Sequence, residues 1–176
     1  DPAGAIAIVS PGNIEDMHTY CRRYKADGLR YIFDPGQSIP ALAADDLAAM
    51  ISGAEIFISN DYELEMVSRA TGWSTADMLE KCAAVITTLG DTGSVVRTTA
   101  ETTAIPAVTV QRVSDPTGAG DAYRSGLIKG LVVGKPLAEA ARMGAVSASF
   151  AVEKQGTQEH RFDARAFEDR HRRAFG

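Results

Sequence analysis

The chain has 176 residues, 45% of them apolar and 23% charged, which is enough for one globular domain with a sizeable core. The net charge of −5, without a Lys/Arg cluster, argues against a nucleic-acid partner. No membrane partner is expected either, because the sequence shows no transmembrane helix and no signal peptide. Cys21 and Cys82 have no companions at zinc spacing. We expect reduced thiols and a cytoplasmic location, with one disulfide left as the alternative.

In the first half of the sequence, strand and helix patterns alternate. Short apolar runs predict strands at 5–10, 29–33, 55–59 and 83–89. Helical patterns lie between them, at 13–28, 43–52 and 60–72, and residues 34–40 are predicted to form a loop. Asn13 and Asn60 are the predicted N-caps, and Gly28 and Gly72 the predicted helix ends. Residues 74–77 resemble a capping box with Asp in the usual Glu place.

In the second half, the runs GSVVRT and TTAIPAVTVQ predict edge β-structure, which Pro106 interrupts. Three helices are predicted after them: one ending near Val133, one from Pro136 to about Val152, and one beginning near Asp163. Alternating helices and continuously apolar strands predict an α/β fold with a mainly parallel sheet. No repeat or linker is visible in the sequence, so residues 1–176 are expected to belong to a single domain.

The stretch SDPTGAGDAYRSGLIKGL, residues 114–131, places a glycine-rich turn at a helix entrance. Unpaired N–H groups and the helix dipole favour an anion there, and glycines allow close approach to the backbone. Two standard phosphate loops do not fit. Asp-Ala follows the glycines where a P-loop has Lys-Ser/Thr, and Tyr123 replaces the last glycine of the dinucleotide fingerprint.

Asp121 lies in the first turn of this predicted helix, where a carboxylate next to phosphate costs electrostatic energy. Such a carboxylate is suited to accept a proton from a hydroxyl that attacks a γ-phosphate. The alternative is an ordinary capped turn in which Asp121 only complements the helix dipole. The small residues that follow at helical spacing predict tight packing rather than chemistry: Ala122, Gly126 and Gly130.

The stretch DPTGAGDAYRSGLIKGL resembles the C-terminal signature of the ribokinase-like (PfkB) kinases of sugars and nucleosides. NDYE at 60–63 resembles that family's Asn-x-x-Glu motif, and TTLGDTG at 87–93 resembles its nucleotide loop. The resemblance implies a three-layer α/β/α sandwich and a kinase that uses ATP and Mg²⁺. It also implies that Asp121 is the catalytic base and that the backbone of Gly118, Ala119, Gly120 and Asp121 forms the anion hole.

The same resemblance implies further roles. It assigns the nucleotide contacts to Asn60, Thr88, Gly90, Gly93, Thr117, Gly144 and Ala148. Glu63 is expected to hold Mg²⁺ through water, and Asp115, near Thr117 and Gly156, resembles a monovalent-cation site that would take K⁺. Simpler interpretations stay open. Asn60 and Glu63 also fit a capping box. Gly90 and Gly93 also fit a hairpin turn, and Asp115 also fits a turn-forming residue.

Family members are longer, and their additional part lies before the first strand predicted here. We therefore expect the C-terminal, nucleotide-binding portion of a kinase, with the N-terminal part and lid absent. FDPGQSIP, DAYRSGL and EKQGTQEHRF resemble bacterial adenosine-kinase-like members, so adenosine, phosphorylated on its ribose 5′-hydroxyl, is the first acceptor considered. A sugar kinase and an inactive nucleotide-binding fragment are the alternatives, a dehydrogenase is disfavoured, and a homodimer is allowed for.

Overall fold

The computed structural model describes residues 4–176. These residues form two compact units. Unit 1 contains the described residues up to Leu89 together with Val95–Thr103, and unit 2 contains Gly90–Ser94 and Ala104–Gly176.

Six strands form one sheet in sequence order: β1 (Ile6–Val9), β2 (Arg30–Phe33), β3 (Ile56–Asn60), β4 (Ala84–Thr88), β5 (Ser94–Arg97) and β6 (Thr102–Ile105). The pairings β1–β2, β2–β3 and β3–β4 are parallel. Central strand residues such as Ile32, Phe57 and Ile86 are fully buried. Continuously apolar strands of this kind are typical of a parallel sheet with both faces covered. The predicted α/β fold is therefore confirmed.

Unit 1 contains the helices α1 (Ile14–Ala26), α2 (Ala44–Ile51), α3 (Asp61–Thr71) and α4 (Thr75–Leu79). The Asn13 side chain caps α1 by accepting the Asp16 backbone N–H at 3.1 Å. Ser74 and Asp77 form the predicted capping box of α4, and Gly72, with φ of 72°, ends α3. Short polar side chains and a left-handed glycine thus define the helix ends in the way the sequence predicts.

The apolar core of unit 1 contains both cysteines. Cys21 of α1 and Cys82, just before β4, are buried with Met17, Phe57 and Val67, and both thiols are free. The prediction of two reduced thiols is confirmed. Burial raises the pKa of each thiol to about 11, an effect that Lys25 partly offsets at Cys21.

One local prediction is wrong, and another is confirmed only in part. Residues Gly36–Ala41 form a 3₁₀ helix where a loop was predicted, because Ile39 turns into the core and Gly36 lies against Pro11. The predicted β-run at 102–111 is a strand only at Thr102–Ile105. It ends before Pro106, which has no N–H to contribute to a sheet.

Unit 2 contains α5 (Ala119–Val132), α6 (Leu137–Val152) and α7 (Ala164–Phe175). Helices α5 and α6 meet at their backbones. A Cβ on Gly126 would lie 2.5 Å from the Met143 carbonyl oxygen, and one on Gly130 would lie 2.7 Å from the Ala140 Cα. The predicted tight packing of this stripe is confirmed. Within residues 4–176, none of the helices is both long and apolar enough to span a bilayer.

Candidate functional site

Asn60 and Glu63 form a complete capping box at the start of α3. The Asn60 side chain accepts the Glu63 backbone N–H at 2.7 Å, and the Asn60 backbone N–H donates to Glu63 Oε2 at 2.8 Å. No described residue donates a hydrogen bond to the other carboxylate oxygen, and the Glu63 side chain is half-buried. The capping role is thus present, and one oxygen remains available for a further ligand.

Thr88 lies beside Asn60 at the carboxyl end of the parallel strands. The two residues are register partners at the ends of β4 and β3, one position beyond the pair Ser59 and Thr87. Neighbouring strands are about 4.8 Å apart, so the backbones of Asn60 and Thr88 lie at that spacing. The structure therefore brings together two predicted nucleotide-binding residues that come from separate sequence motifs.

The Gly90–Gly93 loop belongs to unit 2. Gly90–Thr92 form a 3₁₀ turn, and the Gly93 N–H donates to the Gly90 carbonyl at 3.2 Å. Gly93 has φ of 105°, and a Cβ on it would lie 2.1 Å from the Ile105 carbonyl oxygen. Gly93 is therefore required by the backbone conformation and by its close approach to β6. Gly90, with φ of 60°, is exposed and has open space around its Cα.

Asp115 ties the glycine-rich turn to the segment after α6. Its Oδ1 accepts the Thr117 backbone N–H at 2.9 Å, and its Oδ2 accepts the Gly156 backbone N–H at 3.0 Å. The Thr117 side chain, followed by these backbone donors, lowers the pKa of the Asp115 carboxyl below its usual range. The three residues predicted for the cation site therefore lie together, and Asp115 also has the turn-forming role.

The turn at Gly118 presents backbone N–H groups at the start of α5. Gly118 is the N-cap with φ of 81°, and a Cβ on it would lie 3.0 Å from the Thr157 backbone. The Ala119 N–H donates to the Pro116 carbonyl at 3.2 Å. No described residue accepts a hydrogen bond from the N–H groups of Gly118, Gly120 or Asp121. Three of the four predicted anion-hole amides are therefore available to a ligand.

Two charged side chains accompany these amides. Asp121 is exposed in the first turn of α5. The guanidinium of Arg124 lies over Gly120, with Nη1 2.6 Å from the position a Cβ would take there. Sequence reasoning did not single out Arg124. Its i+4 spacing from Gly120 was the signal that could have found it, because residues at that spacing lie on one helix face.

Gly144 and Ala148, the predicted nucleotide contacts on α6, differ in their surroundings. Gly144 is buried, and a Cβ on it would lie 2.8 Å from the Tyr123 carbonyl oxygen. Close packing on α5 therefore explains the glycine at this position. Ala148 is half-buried. A nucleotide contact at either residue stays a prediction.

A buried hydrogen bond joins the Gly90–Gly93 loop to α5. Ser94 Oγ lies 2.8 Å from the Tyr123 hydroxyl oxygen, and both side chains are buried. Burial raises the pKa of Tyr123 to about 12, so the phenol keeps its proton at neutral pH. No local sequence pattern indicates this contact, because the two residues are far apart along the chain. Within residues 4–176, no group of three or more His, Cys, Asp or Glu side chains is arranged to hold a metal ion directly.

The curated proteins similar to this chain include nucleoside kinases. The chain is 38% identical to a nucleoside kinase of Methanocaldococcus jannaschii over 126 residues, which are 72% of this chain and 42% of that protein. It is 31% identical to a nucleoside kinase of Methanothermobacter thermautotrophicus over 127 residues, 72% of this chain and 40% of that protein. The chain thus spans less than half the length of these two relatives.

The solved structures similar to this chain include a nucleoside kinase and a ribokinase. The structure of Burkholderia thailandensis nucleoside kinase in complex with inosine matches with a TM-score of 0.95 and 35% identity, covering 97% of this chain and 56% of that one. Ribokinase from Thermotoga maritima, at 23% identity, matches with a TM-score of 0.77 over 94% of this chain and 56% of that one. The fold is therefore ribokinase-like.

The family comparison covers most of the chain. The model described as pfkB family carbohydrate kinase matches residues 5–164. This range includes each of the three sequence motifs and all the candidate site residues. The chain therefore belongs to the pfkB family of carbohydrate kinases.

Proposed function

We propose that the protein containing this chain transfers the γ-phosphoryl group of ATP to a hydroxyl of a nucleoside. The observation that carries this proposal is the turn at the start of α5, where three N–H groups without acceptors lie in the same helix turn as the exposed Asp121. Donors aimed at an anion, next to a carboxylate able to take a proton, are what phosphoryl transfer to an alcohol needs.

In the proposed reaction, Asp121 accepts the proton of the attacking hydroxyl as the new oxygen–phosphorus bond forms. The N–H groups of Gly118, Gly120 and Asp121 stabilise the charge on the transferring phosphoryl group. The bond to the leaving ADP oxygen breaks in the same displacement, so ADP departs with the negative charge. Arg124, which lies against Gly120, adds positive charge beside this turn.

The proposed nucleotide contacts come from both units of the chain. In unit 1, Asn60 and Thr88 lie side by side at the carboxyl ends of β3 and β4, where open α/β sheets bind ligands. In unit 2, Gly90 and Gly93 form the loop after β4, Thr117 precedes the N-cap of α5, and Gly144 and Ala148 lie on α6. We assign ATP to these residues.

Mg²⁺ and K⁺ belong to the same proposal. The free carboxylate oxygen of Glu63 fits a ligand that holds Mg²⁺ through water, and the metal would neutralise phosphate charge when bound. Asp115 accepts the N–H groups of Thr117 and Gly156 and a hydrogen bond from the Thr117 side chain, so one of its four acceptor positions remains for a monovalent cation. The predicted residues therefore fit both ions.

A nucleoside acceptor is favoured over a free sugar. The nucleoside kinase of Methanocaldococcus jannaschii has a higher identity to this chain, 38%, than an uncharacterized sugar kinase of Archaeoglobus fulgidus, 32%, and one matching nucleoside kinase structure holds inosine. We place adenosine first, with inosine next. Cytidine belongs in the test because the chain is 29% identical to a cytidine kinase of Thermococcus kodakarensis. Ribose represents the sugar-kinase alternative.

The test is a coupled assay for ADP release with ATP and each of these four acceptors. The wild-type protein is expected to turn over a nucleoside, whereas Asp121→Asn loses about 10²-fold or more in kcat and still binds ATP in calorimetry. Asp16→Asn is the matched control, because Asp16 is also exposed and also the third residue of its helix. Turnover of ribose alone would favour the sugar kinase. ATP binding without any turnover would favour a nucleotide-binding fragment.

A further inference from the structure

The contact between Ser94 and Tyr123 is almost completely shielded from solvent. Ser94 is 2% exposed and Tyr123 is 4% exposed, and their hydroxyl oxygens are 2.8 Å apart. A buried hydroxyl without a partner costs free energy, so each of these groups depends on the other. A phenylalanine would fill nearly the same volume as Tyr123. The tyrosine hydroxyl therefore has a role that packing alone does not explain.

Each end of this hydrogen bond is anchored to a segment of the proposed site. Ser94 directly follows Gly93, whose backbone is held against Ile105 and Ala107. Tyr123 lies two residues after Asp121, and its carbonyl oxygen and ring are packed against Gly144 of α6. The bond thus joins the Gly90–Gly93 loop to the first turns of α5, next to two closely packed glycines.

The phenol is neutral under working conditions. Because burial raises the pKa of Tyr123 to about 12, its hydroxyl remains neutral across the range in which a kinase operates. The Ser94 hydroxyl can act as donor or acceptor towards it.

We propose that the Ser94–Tyr123 hydrogen bond is a positioning contact that fixes the Asp121-bearing turn relative to the Gly90–Gly93 loop. This inference rests on the proposed function, in which the loop holds ATP and Asp121 acts on the acceptor. Small displacements between a base and its reacting partner slow the chemical step more than they weaken binding. The contact should therefore act on kcat and leave the KM for ATP nearly unchanged.

The test compares Tyr123→Phe and Ser94→Ala with the wild-type protein. Each variant is expected to lower kcat by about tenfold, with the KM for ATP changed by less than about twofold. The double variant should lose no more than either single variant, because both remove the same bond. Ser94→Thr keeps the hydroxyl and is expected to retain most of the wild-type kcat.

Tyr31→Phe is the matched control. Tyr31 is 1% exposed, and its hydroxyl donates to the Met50 carbonyl at 2.8 Å, so this substitution also removes a buried tyrosine hydrogen bond. Tyr31 belongs to none of the three sequence motifs. The Tyr31→Phe variant should lose stability without losing kcat. Wild-type kcat in both Tyr123→Phe and Ser94→Ala, or an equal loss in Tyr31→Phe, would overturn the positioning role.

Amide hydrogen exchange supplies a readout that does not need activity. Tyr123→Phe is expected to exchange faster than wild type at residues 90–94 and 118–123, and Tyr31→Phe is not. If the wild-type protein phosphorylates no acceptor, the proposed function fails, but this exchange pattern still decides whether the hydrogen bond orders both segments. Unchanged exchange in both segments would overturn the inference, even in an active enzyme.

Discussion

Asn60 and Glu63 hydrogen-bond each other twice, through the Asn60 side chain to the Glu63 N–H and through the Glu63 carboxylate to the Asn60 N–H. The reciprocal bonds satisfy two N–H groups at the start of α3. They use only one carboxylate oxygen of Glu63. The capping and metal-binding interpretations of the Asn-x-x-Glu motif are therefore compatible in one geometry.

Glu63→Gln separates these two roles. Glutamine still accepts the Asn60 N–H, so the cap and the melting temperature should change little. Loss of the carboxylate charge should raise the Mg²⁺ concentration needed for half-maximal activity by about tenfold. Glu65→Gln is the control, because Glu65 lies on the same helix and pairs with Arg69. Equal Mg²⁺ dependence in the two variants would contradict a metal role for Glu63.

Gly118→Ala should impair nucleotide binding and stability together. Its φ of 81° strains any residue with a Cβ, at about 1–2 kcal/mol, and the Thr157 backbone lies only 3.0 Å from that Cβ. Gly134→Ala is the control, since Gly134 has φ of 77° and nothing within 4 Å. Urea unfolding should show the larger loss for Gly118→Ala, and calorimetry should show weakened ATP binding in that variant alone. Equal losses of stability and of ATP affinity in the two variants would mean that backbone strain alone causes them.

Gly126→Ala should destabilise unit 2 although alanine is the better helix former. The propensity gain is about 1 kcal/mol, and overpacking costs about 1–3 kcal/mol in a closely packed interior. At 2.5 Å from the Met143 carbonyl, the new methyl has no room, so the cost should dominate. In Gly12→Ala the nearest atom is 3.8 Å away, and little change is expected. A higher melting temperature for Gly126→Ala would show that α5 and α6 separate readily.

Stability should fall at alkaline pH. Burial raises the pKa of Cys21 and Cys82 to about 11, above the roughly 8.5 of an exposed thiol. In that interval the unfolded chain releases protons that the folded chain keeps. The free energy of unfolding is therefore highest below about pH 8.5 and declines as pH rises to about 11. Urea unfolding at several pH values measures this decline.

Cys82→Ala supplies the control for the alkaline effect. The substitution should lower stability at neutral pH, because it leaves a small cavity in the core of unit 1. It should also make the decline with pH shallower, since one titrating thiol has been removed. An unchanged slope would show that other groups, such as the buried tyrosines, cause the alkaline loss.

Local sequence signals predicted most helix ends and strands. Asn13, Asn60 and the pair Ser74 and Asp77 form the predicted caps because capping depends on residues within one turn. The first four strands follow from apolar runs that only a covered parallel sheet can accommodate. Agreement between such local signals and the tertiary fold is expected of natural sequences.

The features that sequence reasoning missed depend on tertiary contacts. The 3₁₀ helix at Gly36–Ala41 forms because Ile39 reaches the core, which no local pattern reveals. Ser94 and Tyr123 meet because the loop after β4 and α5 converge in unit 2. The packing of Gly144 on Tyr123 becomes visible only once α5 and α6 are placed together. The candidate base and anion turn were predictable because they occupy one contiguous motif.

The glycines at the α5–α6 contact restrict how this protein can evolve. Gly126, Gly130 and Gly144 allow no larger side chain at the helix crossing, and they have no side chain to shorten. Substitutions in unit 2 are therefore expected to be tolerated better away from this helix crossing. Directed-evolution libraries for new substrates should leave these three glycines constant.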